Sequence, residues 1–178
     1  IVATLTPDQE TPATASVVQA ALDLDRCAAF DLNAACSGFV YGLVVARGLM
    51  ATGLRRILLI GAETMSRIVN WDDRETAVLF GDGAGAVVLE ATEGPDTVLG
   101  HDLGGDGAAA PLLWADRGDV LHMDGREVYR RAVRALVESS SLALDRAGLT
   151  PADVDLFVPH QANRRIIEAS AERLGIPP

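Results

Sequence analysis

The sequence predicts an α/β fold. Its 178 residues are 49% apolar and 22% charged, which is the composition of a globular protein, and this length fits one domain or two small halves. Short β-type runs alternate with helical segments along the chain, as they do in α/β domains. The run RILLIGA at 56–62 is apolar on both faces, as expected of a strand that is covered on both sides.

The first elements in chain order are two apolar runs and a long helix. Residues 1–3 resemble the inside of a strand, and 28–32 form a second short apolar run. Residues 37–52 predict a helix whose only charge is Arg47. A helix that is apolar all round is a buried one, so we expect this helix to lie inside the fold, with Gly53 placed to end it.

The run VLFGDGAGAVVLE at 78–90 predicts a strand interrupted by three glycines. Its GDGAG core resembles half of a dinucleotide-binding loop, but the strand-like residues 87–89 follow where a helix should begin. We therefore exclude nucleotide binding there. The glycines are interpreted as positions where the backbone passes close to other elements.

The second half of the chain predicts two amphipathic helices. Residues 102–119 are rich in Gly and Ala and indicate a loop or a broken strand. Apolar side chains recur at helical spacing in 126–147, with Arg on the other face. Residues 155–158 predict a strand, and 163–174 predict the second helix.

The charge and residue usage exclude several classes of function. The net charge of −10 argues against a nucleic-acid or anionic-membrane partner, because both require clustered positive charge. All 15 basic residues are Arg, so no lysine is present to form a Schiff base or to bind phosphates in a phosphate-binding loop. No signal peptide or apolar run of membrane-spanning length is found, which indicates a cytoplasmic protein.

Cys36 is the strongest candidate for a catalytic residue. It lies between the apolar run at 28–32 and the long apolar helix, where unpaired N–H groups and the helix dipole favour a thiolate. Its small neighbours leave room for a ligand, but a free cysteine more often simply packs, so both interpretations stay open from position alone. Cys27 has no such placement and is expected to pack. The spacing of the two cysteines matches no metal site or disulfide scaffold, and no metal is expected.

His160 is the second candidate. It follows the predicted strand 155–158 and precedes a helix, the position where catalytic groups collect in α/β sheets. A lone histidine is also commonly a surface or core residue, and position alone does not decide between these roles. His101 and His122 lie near predicted loops and carry no functional expectation.

Four motifs stand in order along nearly the whole chain. They are FDLNAACSGF at 30–39, FGDGAGA at 80–86, DGREV at 124–128 and VPHQAN at 158–163. Together they resemble the nucleophile motif, glycine strand, long-helix start and histidine motif of β-ketoacyl-[acyl-carrier-protein] synthase III, a family of thiolase-superfamily condensing enzymes.

The resemblance implies a thiolase-like layered fold of two similar βαβ-type halves, at 1–92 and 93–178. It implies that Cys36 takes an acyl group from acyl-CoA and that His160 assists a decarboxylative Claisen condensation with malonyl-acyl carrier protein. The product would be a 3-ketoacyl-acyl carrier protein, in the initiation of fatty acid or polyketide synthesis. The resemblance also implies a homodimer that uses no metal or redox cofactor.

Five further positions carry over from the resemblance. Arg74, Gly125 and Arg165 match positions that bind CoA or the carrier protein, with Arg164 beside Arg165 adding docking charge. Thr11 and Phe39 match the acyl pocket. Where this chain has Thr11, many family members have a Phe that reaches the acyl pocket of the partner subunit, so the smaller residue predicts tolerance of primers longer than acetyl.

The chain also departs from the family pattern. The family's third catalytic residue, an Asn in a Gly-Asn-Thr motif, is expected to lie beyond the end of this chain. Asn163 is not that residue, because it belongs to the histidine motif. Both ends are expected to be cut, so that the fold is incomplete and the isolated chain is expected to be inactive.

Three other functions were weighed. The nearest is a thiolase-fold acyltransferase or polyketide-priming synthase that works without decarboxylative elongation. A non-catalytic subunit would have no need of both Cys36 and His160. A nucleotide-binding module is disfavoured by the misplaced glycines and the absent lysine.

Overall fold

The computed structural model describes residues 1–176, which form two compact units. The first unit contains Ile1–Arg67 and Gly81–Pro95, and the second contains Ile68–Phe80 and residues 96–176. The chain therefore crosses from one unit to the other three times. The division into thiolase-like halves at residues 92 and 93 stays a prediction.

The first unit is built on a four-stranded mixed sheet. Its strands are β1 (Val2–Ala3), β2 (Asp31–Leu32), β3 (Arg56–Thr64) and β4 (Asp82–Glu90), in the spatial order β2-β1-β3-β4. β1 pairs in parallel with both β2 and β3, and β4 runs antiparallel along the full length of β3. The parallel strands β2, β1 and β3 thus end at the same edge of the sheet.

Two helices pack in the first unit, α1 (Thr14–Ala21) and α2 (Gly38–Met50). Only the small residues of α2, spaced four apart, are buried: Gly38, Gly42 and Ala46. Phe39 is 38% exposed and Val40 48% exposed. The expectation of a helix buried all round is therefore wrong, because this unit supplies one sheet for one helix face to cover.

The glycine-rich run forms β4, which confirms the predicted strand, although its first residues differ. Ala77–Leu79 are a 3-10 turn, and pairing begins at Asp82. A Cβ atom added at Gly81, Gly83 or Gly85 would meet nothing within 4 Å among the described residues. The expected close approach at these glycines is therefore wrong for this part of the chain.

The second unit contains a short hairpin and two helices. The strands β5 (Leu113–Trp114) and β6 (His122–Met123) pair antiparallel, and they precede α3 (Gly125–Ala147) and α4 (Arg164–Leu174). Both helices were predicted to within one residue, and both have local start and stop signals. The side chains of Asp124 and Asn163 accept from backbone N–H groups at the helix starts, and Gly148 and Gly175 end the helices in the left-handed conformation.

Residues 155–158 are not a strand, so that prediction is wrong. They pair with no strand among the described residues. Leu156 is 77% exposed and Val158 70% exposed. A strand requires a partner for its backbone hydrogen bonds, and in this unit none lies beside the segment.

Each unit has its own small core. Leu59 and Val2 are the largest fully buried side chains of the first unit, and Val133 lies buried in α3 of the second unit. The α4 residues Ile166, Ser170, Ala171 and Leu174 are also buried, and α3 packs against α4. Over residues 1–176, no helix is both long and apolar enough to cross a membrane.

Candidate active site

Cys36 lies on a sharp turn between β2 and α2. The turn is a 3-10 segment, Ala35–Ser37, which leads directly into α2. Ala35 has a φ of 45°, a left-handed conformation that costs energy for a residue with a Cβ. Its N–H donates to Asn33 Oδ1 at 3.1 Å, and Ser37 N–H donates to Ala34 O at 3.1 Å. These bonds hold a strained turn that leaves the Cys36 side chain exposed at the carboxyl edge of the sheet.

The environment of Cys36 disfavours the thiolate. Loss of hydration near surrounding protein atoms raises the pKa of the thiol, a backbone hydrogen bond lowers it, and the negative charge of Glu63 raises it further. The expectation that the helix start would favour a thiolate is therefore wrong, because desolvation outweighs it. The thiol is reachable, and its deprotonation requires help.

Cys27 is also exposed, so its expected packing is wrong. It lines a cavity of about 490 Å³ together with apolar residues of the first unit that include Val18, Leu22, Leu49 and Leu58. Cys27 and Cys36 are therefore both open to reagents, and each follows a left-handed residue, Arg26 with a φ of 54° and Ala35 with a φ of 45°. Only Cys36 leads directly into a helix.

The two candidate acyl-pocket residues also lie in the first unit. Phe39 follows Cys36 by three residues, and its ring lies over β3, with Cδ2 3.8 Å from a Cβ built at Gly61. Thr11 is exposed just before α1. Asp31 of β2 fixes the start of that helix, because its carboxylate accepts from Thr14 N–H at 2.7 Å and Ala15 N–H at 2.8 Å.

His160 lies in the second unit on the extended segment before α4. The residue is solvent-accessible, yet nearby protein atoms remove enough hydration to lower the pKa of the imidazole. The side chain of Asn163, three residues later, accepts from Arg165 N–H at 2.9 Å and fixes the start of α4. His160 thus lies four residues before a capped helix, and loss of hydration disfavours its charged form.

The candidate CoA and carrier positions lie in the second unit too. Gly125 opens α3, Arg165 lies in the first turn of α4, and Arg74 lies on an exposed turn between Trp71 and Thr76. Arg165 and Arg74 form no ion pair with the described residues, whereas Arg164 binds Glu168 at 2.6 Å.

Among residues 1–176, no three His, Cys, Asp or Glu side chains converge in a group that could hold a metal ion. The first unit contains Cys36, Phe39 and Thr11. The second unit contains His160, Arg74, Gly125 and Arg165.

Comparison with known proteins identifies the family. Two family models match the chain: 3-oxoacyl-[acyl-carrier-protein] synthase III over residues 30–107, and the C-terminal part of the same synthase over 144–178. Beta-ketoacyl-[acyl-carrier-protein] synthase III of Cereibacter sphaeroides is 52% identical over 189 residues, which cover 99% of this chain and 58% of that protein. The chain belongs to the 3-oxoacyl-[acyl-carrier-protein] synthase III family.

Solved structures of synthase III proteins show the same fold. The crystal structure of 3-oxoacyl-[acyl-carrier-protein] synthase III from Aquifex aeolicus matches with a TM-score of 0.95 and 46% identity, over 99% of this chain and 57% of that one. The priming β-ketosynthase of the R1128 polyketide biosynthetic pathway matches with a TM-score of 0.88 and 36% identity, over 99% and 56%. The predicted thiolase-like α/β fold is confirmed. The chain spans a little under three-fifths of the length of these relatives.

Sequence reasoning missed one residue whose charge acts on the Cys36 thiol, Glu63. It lies near the end of β3, at the sheet edge that also carries the Cys36 turn. A carboxylate at the carboxyl end of a parallel strand is a signal that could have found it. Its hydrogen-bond donors lie 57 to 59 residues earlier in the chain, so the sequence alone does not show what it binds.

Proposed function

We propose that this chain carries the acylating and condensing residues of a 3-oxoacyl-[acyl-carrier-protein] synthase III, an acyltransferase that starts fatty acid synthesis. The observation that carries the proposal is Cys36, exposed on a strained turn at the start of α2, in a chain of this family. A nucleophile on such a turn is open to a thioester from the solvent side.

The first step is transfer of an acyl group to Cys36. The sulfur attacks the thioester carbonyl of acyl-CoA, a new carbon–sulfur bond forms, and the bond to the CoA sulfur breaks. The proton of Cys36 leaves with the CoA thiol. The raised pKa of Cys36 supports this order of events, because the thiol stays protonated until a substrate is bound.

The second step is a decarboxylative condensation. Malonyl-acyl carrier protein loses CO₂, and the resulting enolate attacks the thioester on Cys36. A carbon–carbon bond forms, the bond to Cys36 breaks, and a 3-ketoacyl-acyl carrier protein leaves. The Cys36 thiolate that is released takes up a proton from solvent. His160 donates an N–H to the developing enolate oxygen. The lowered pKa of His160 supports this role, since a neutral imidazole keeps one donor and brings no cation that would have to be neutralised.

The second unit supplies candidate surfaces for CoA and for an acidic carrier protein. Arg165 and Arg74 are exposed and form no ion pair with the described residues, and Gly125 lies with them in this unit. On a chain of net charge −10, attraction of an acidic partner requires such local positive charge. Arg164 contributes less than expected from the sequence, because Glu168 already pairs with it.

The assembly and location follow from the same proposal. The protein acts as a cytoplasmic homodimer, uses acyl-CoA and acyl carrier protein, and requires no metal or redox cofactor. Its net negative charge supports the absence of nucleic-acid and membrane partners.

A second candidate function is a polyketide-priming synthase or acyltransferase that moves an acyl group without decarboxylative elongation. The likeness to the priming β-ketosynthase of the R1128 polyketide pathway supports the polyketide-priming part of this alternative. The two functions differ in whether CO₂ is released from malonyl-acyl carrier protein. Only the condensing reaction releases one CO₂ for each product molecule.

The test is intact-protein mass spectrometry after incubation with a panel of acyl-CoAs. We expect a mass gain of one acyl group that is lost in Cys36→Ala and kept in Cys27→Ala, since both cysteines are exposed and only one is proposed to react. The assay is repeated on a hybrid in which the flanking parts of the Cereibacter sphaeroides relative extend the chain. No gain in either protein would refute the proposed function.

A further inference from the structure

The carboxylate of Glu63 is held by four donors from one short segment. Leu5 N–H donates to Oε1 at 2.9 Å, and Thr6 N–H donates to Oε2 at 3.1 Å. The hydroxyl groups of Thr4 and Thr6 also donate to Oε2, the former at 3.3 Å. A carboxylate has only acceptors to offer, so these four donors suit it well.

The neighbouring bonds fix the direction of both hydroxyl groups. Thr64 N–H donates to Thr6 Oγ1 at 2.8 Å, so the hydroxyl proton of Thr6 is left to point at Glu63. Thr6 N–H donates to Thr4 Oγ1 at 3.1 Å, which leaves the proton of Thr4 for Glu63 in the same way. The network is therefore consistent only with Glu63 as an acceptor at every contact.

The topology brings this network beside the nucleophile turn. β1 lies between β2 and β3, where Ala3 pairs with both Leu32 and Gly61, and Thr4 N–H donates to Leu32 O at 3.0 Å. At the start of α2, a Cβ built at Gly38 would lie 3.2 Å from Ala3 Cβ. The segment that Glu63 holds thus continues from the strand against which the Cys36 turn packs.

Other charged or titratable groups on the elements around Cys36 are directed elsewhere or lie further away. Asp31 of β2 is turned toward the start of α1 by its bonds to Thr14 and Ala15. Tyr41 and Arg47 lie five and eleven residues beyond Cys36 along α2. The negative charge of Glu63 helps to raise the pKa of the Cys36 thiol.

We propose that Glu63 is a positioning residue for Cys36, which fixes the segment Thr4–Thr6 beside the nucleophile turn and places one negative charge there. This inference rests on the proposed function of Cys36. The charge opposes a free thiolate, but it does not oppose the thioester, because an acylated sulfur carries no charge.

The test measures the rate of Cys36 alkylation by iodoacetamide against pH, in a Cys27→Ala background so that a single thiol reacts. In Glu63→Gln we expect the midpoint of the rate-against-pH curve to move to lower pH, because the negative charge that opposes the thiolate is gone. Alkylation at neutral pH should then be faster by on the order of threefold. Glu90→Gln is the matched control. It removes the same charge from β4, where the carboxylate is exposed and pairs with Arg56. An equal shift in the control would assign the effect to net charge and overturn the proposal.

A second variant covers a failure of Glu63→Gln to fold, as judged by circular dichroism. Glu63→Asp keeps the charge but draws it back toward the β3 backbone by one methylene group. We therefore expect a smaller shift of the alkylation midpoint in the same direction. An unchanged midpoint in whichever variant folds would overturn the proposal. Alkylation requires no acyl-CoA, so this outcome is independent of whether Cys36 accepts an acyl group.

Discussion

Gly42 of α2 lies directly against Leu59 of β3. A Cβ atom at Gly42 would fall 2.5 Å from Leu59 Cδ1 and 3.3 Å from Cδ2, and Leu59 is fully buried. The absence of a side chain at Gly42 therefore allows the helix that follows Cys36 to lie close to the sheet, as it also does at Gly38.

Gly42→Ala is expected to destabilise the protein by about 1–2 kcal/mol, because overpacking against Leu59 outweighs the gain in helix propensity. The measurement is the denaturation midpoint in urea. Gly48→Ala is the matched control on the same helix, since a Cβ there meets nothing within 4 Å. It should stabilise the protein by up to about 1 kcal/mol. Equal effects of the two variants would contradict the close packing.

Ser170→Ala is expected to stabilise the protein. The hydroxyl oxygen of Ser170 is buried in α4 with no hydrogen-bond partner, and an unsatisfied buried hydroxyl costs about 1 kcal/mol or more. Ser141→Ala in α3 is the control, because that residue is exposed and gains only helix propensity. Thermal unfolding should rank Ser170→Ala above Ser141→Ala. A loss of stability in Ser170→Ala would show that the hydroxyl has a partner.

Local signals in the sequence predict the helices of this chain more accurately than they predict its long-range contacts. α3 and α4 were predicted closely because Asp124, Asn163, Gly148 and Gly175 mark their ends within the same stretch of sequence. The segment 155–158 has the composition of a strand, but strand formation depends on a partner elsewhere in the chain.

In the candidate site, too, features that depend on contacts between distant parts of the chain could not be predicted. Cys36 and His160 are candidates because of their positions next to predicted elements and because of the family motifs. Neither the strained φ of Ala35 nor the donors around Glu63 could be predicted, because both depend on how β1, β2 and β3 meet at one sheet edge. The direction of the Cys36 pKa was predicted wrongly because a sequence shows a helix start but not the surrounding desolvation.

His160 is expected to titrate below the ordinary histidine pKa of 6.5, because loss of hydration disfavours the imidazolium. Proton NMR of the ring protons measures the midpoint, with His160→Gln assigning the signal. In denaturant, the midpoint should return to the ordinary value. A midpoint at or above that value in the folded protein would contradict the assigned environment.

The same shift makes folding stability depend on pH. Below pH 6.5 the unfolded chain binds a proton at His160 more readily than the folded chain, so stability falls as the pH drops through that value toward the lowered folded-state pKa. Urea unfolding at a series of pH values should show a weaker loss in His160→Gln than in the wild type. Identical profiles would show that other groups account for the loss.

Thr11→Phe is expected to narrow the acyl-chain preference toward acetyl. In the proposed homodimer, Thr11, which is exposed just before α1, is expected to reach the acyl pocket of the partner subunit. A threonine leaves room that a phenyl ring would fill, and a filled pocket excludes longer primers by about 10-fold or more per methylene group that no longer fits. Competition between acetyl-CoA and longer acyl-CoAs for Cys36, read by intact mass, measures the preference. Thr92→Phe is the control, because it adds the same ring at an exposed position after β4. A preference that Thr11→Phe leaves unchanged would remove Thr11 from the acyl pocket.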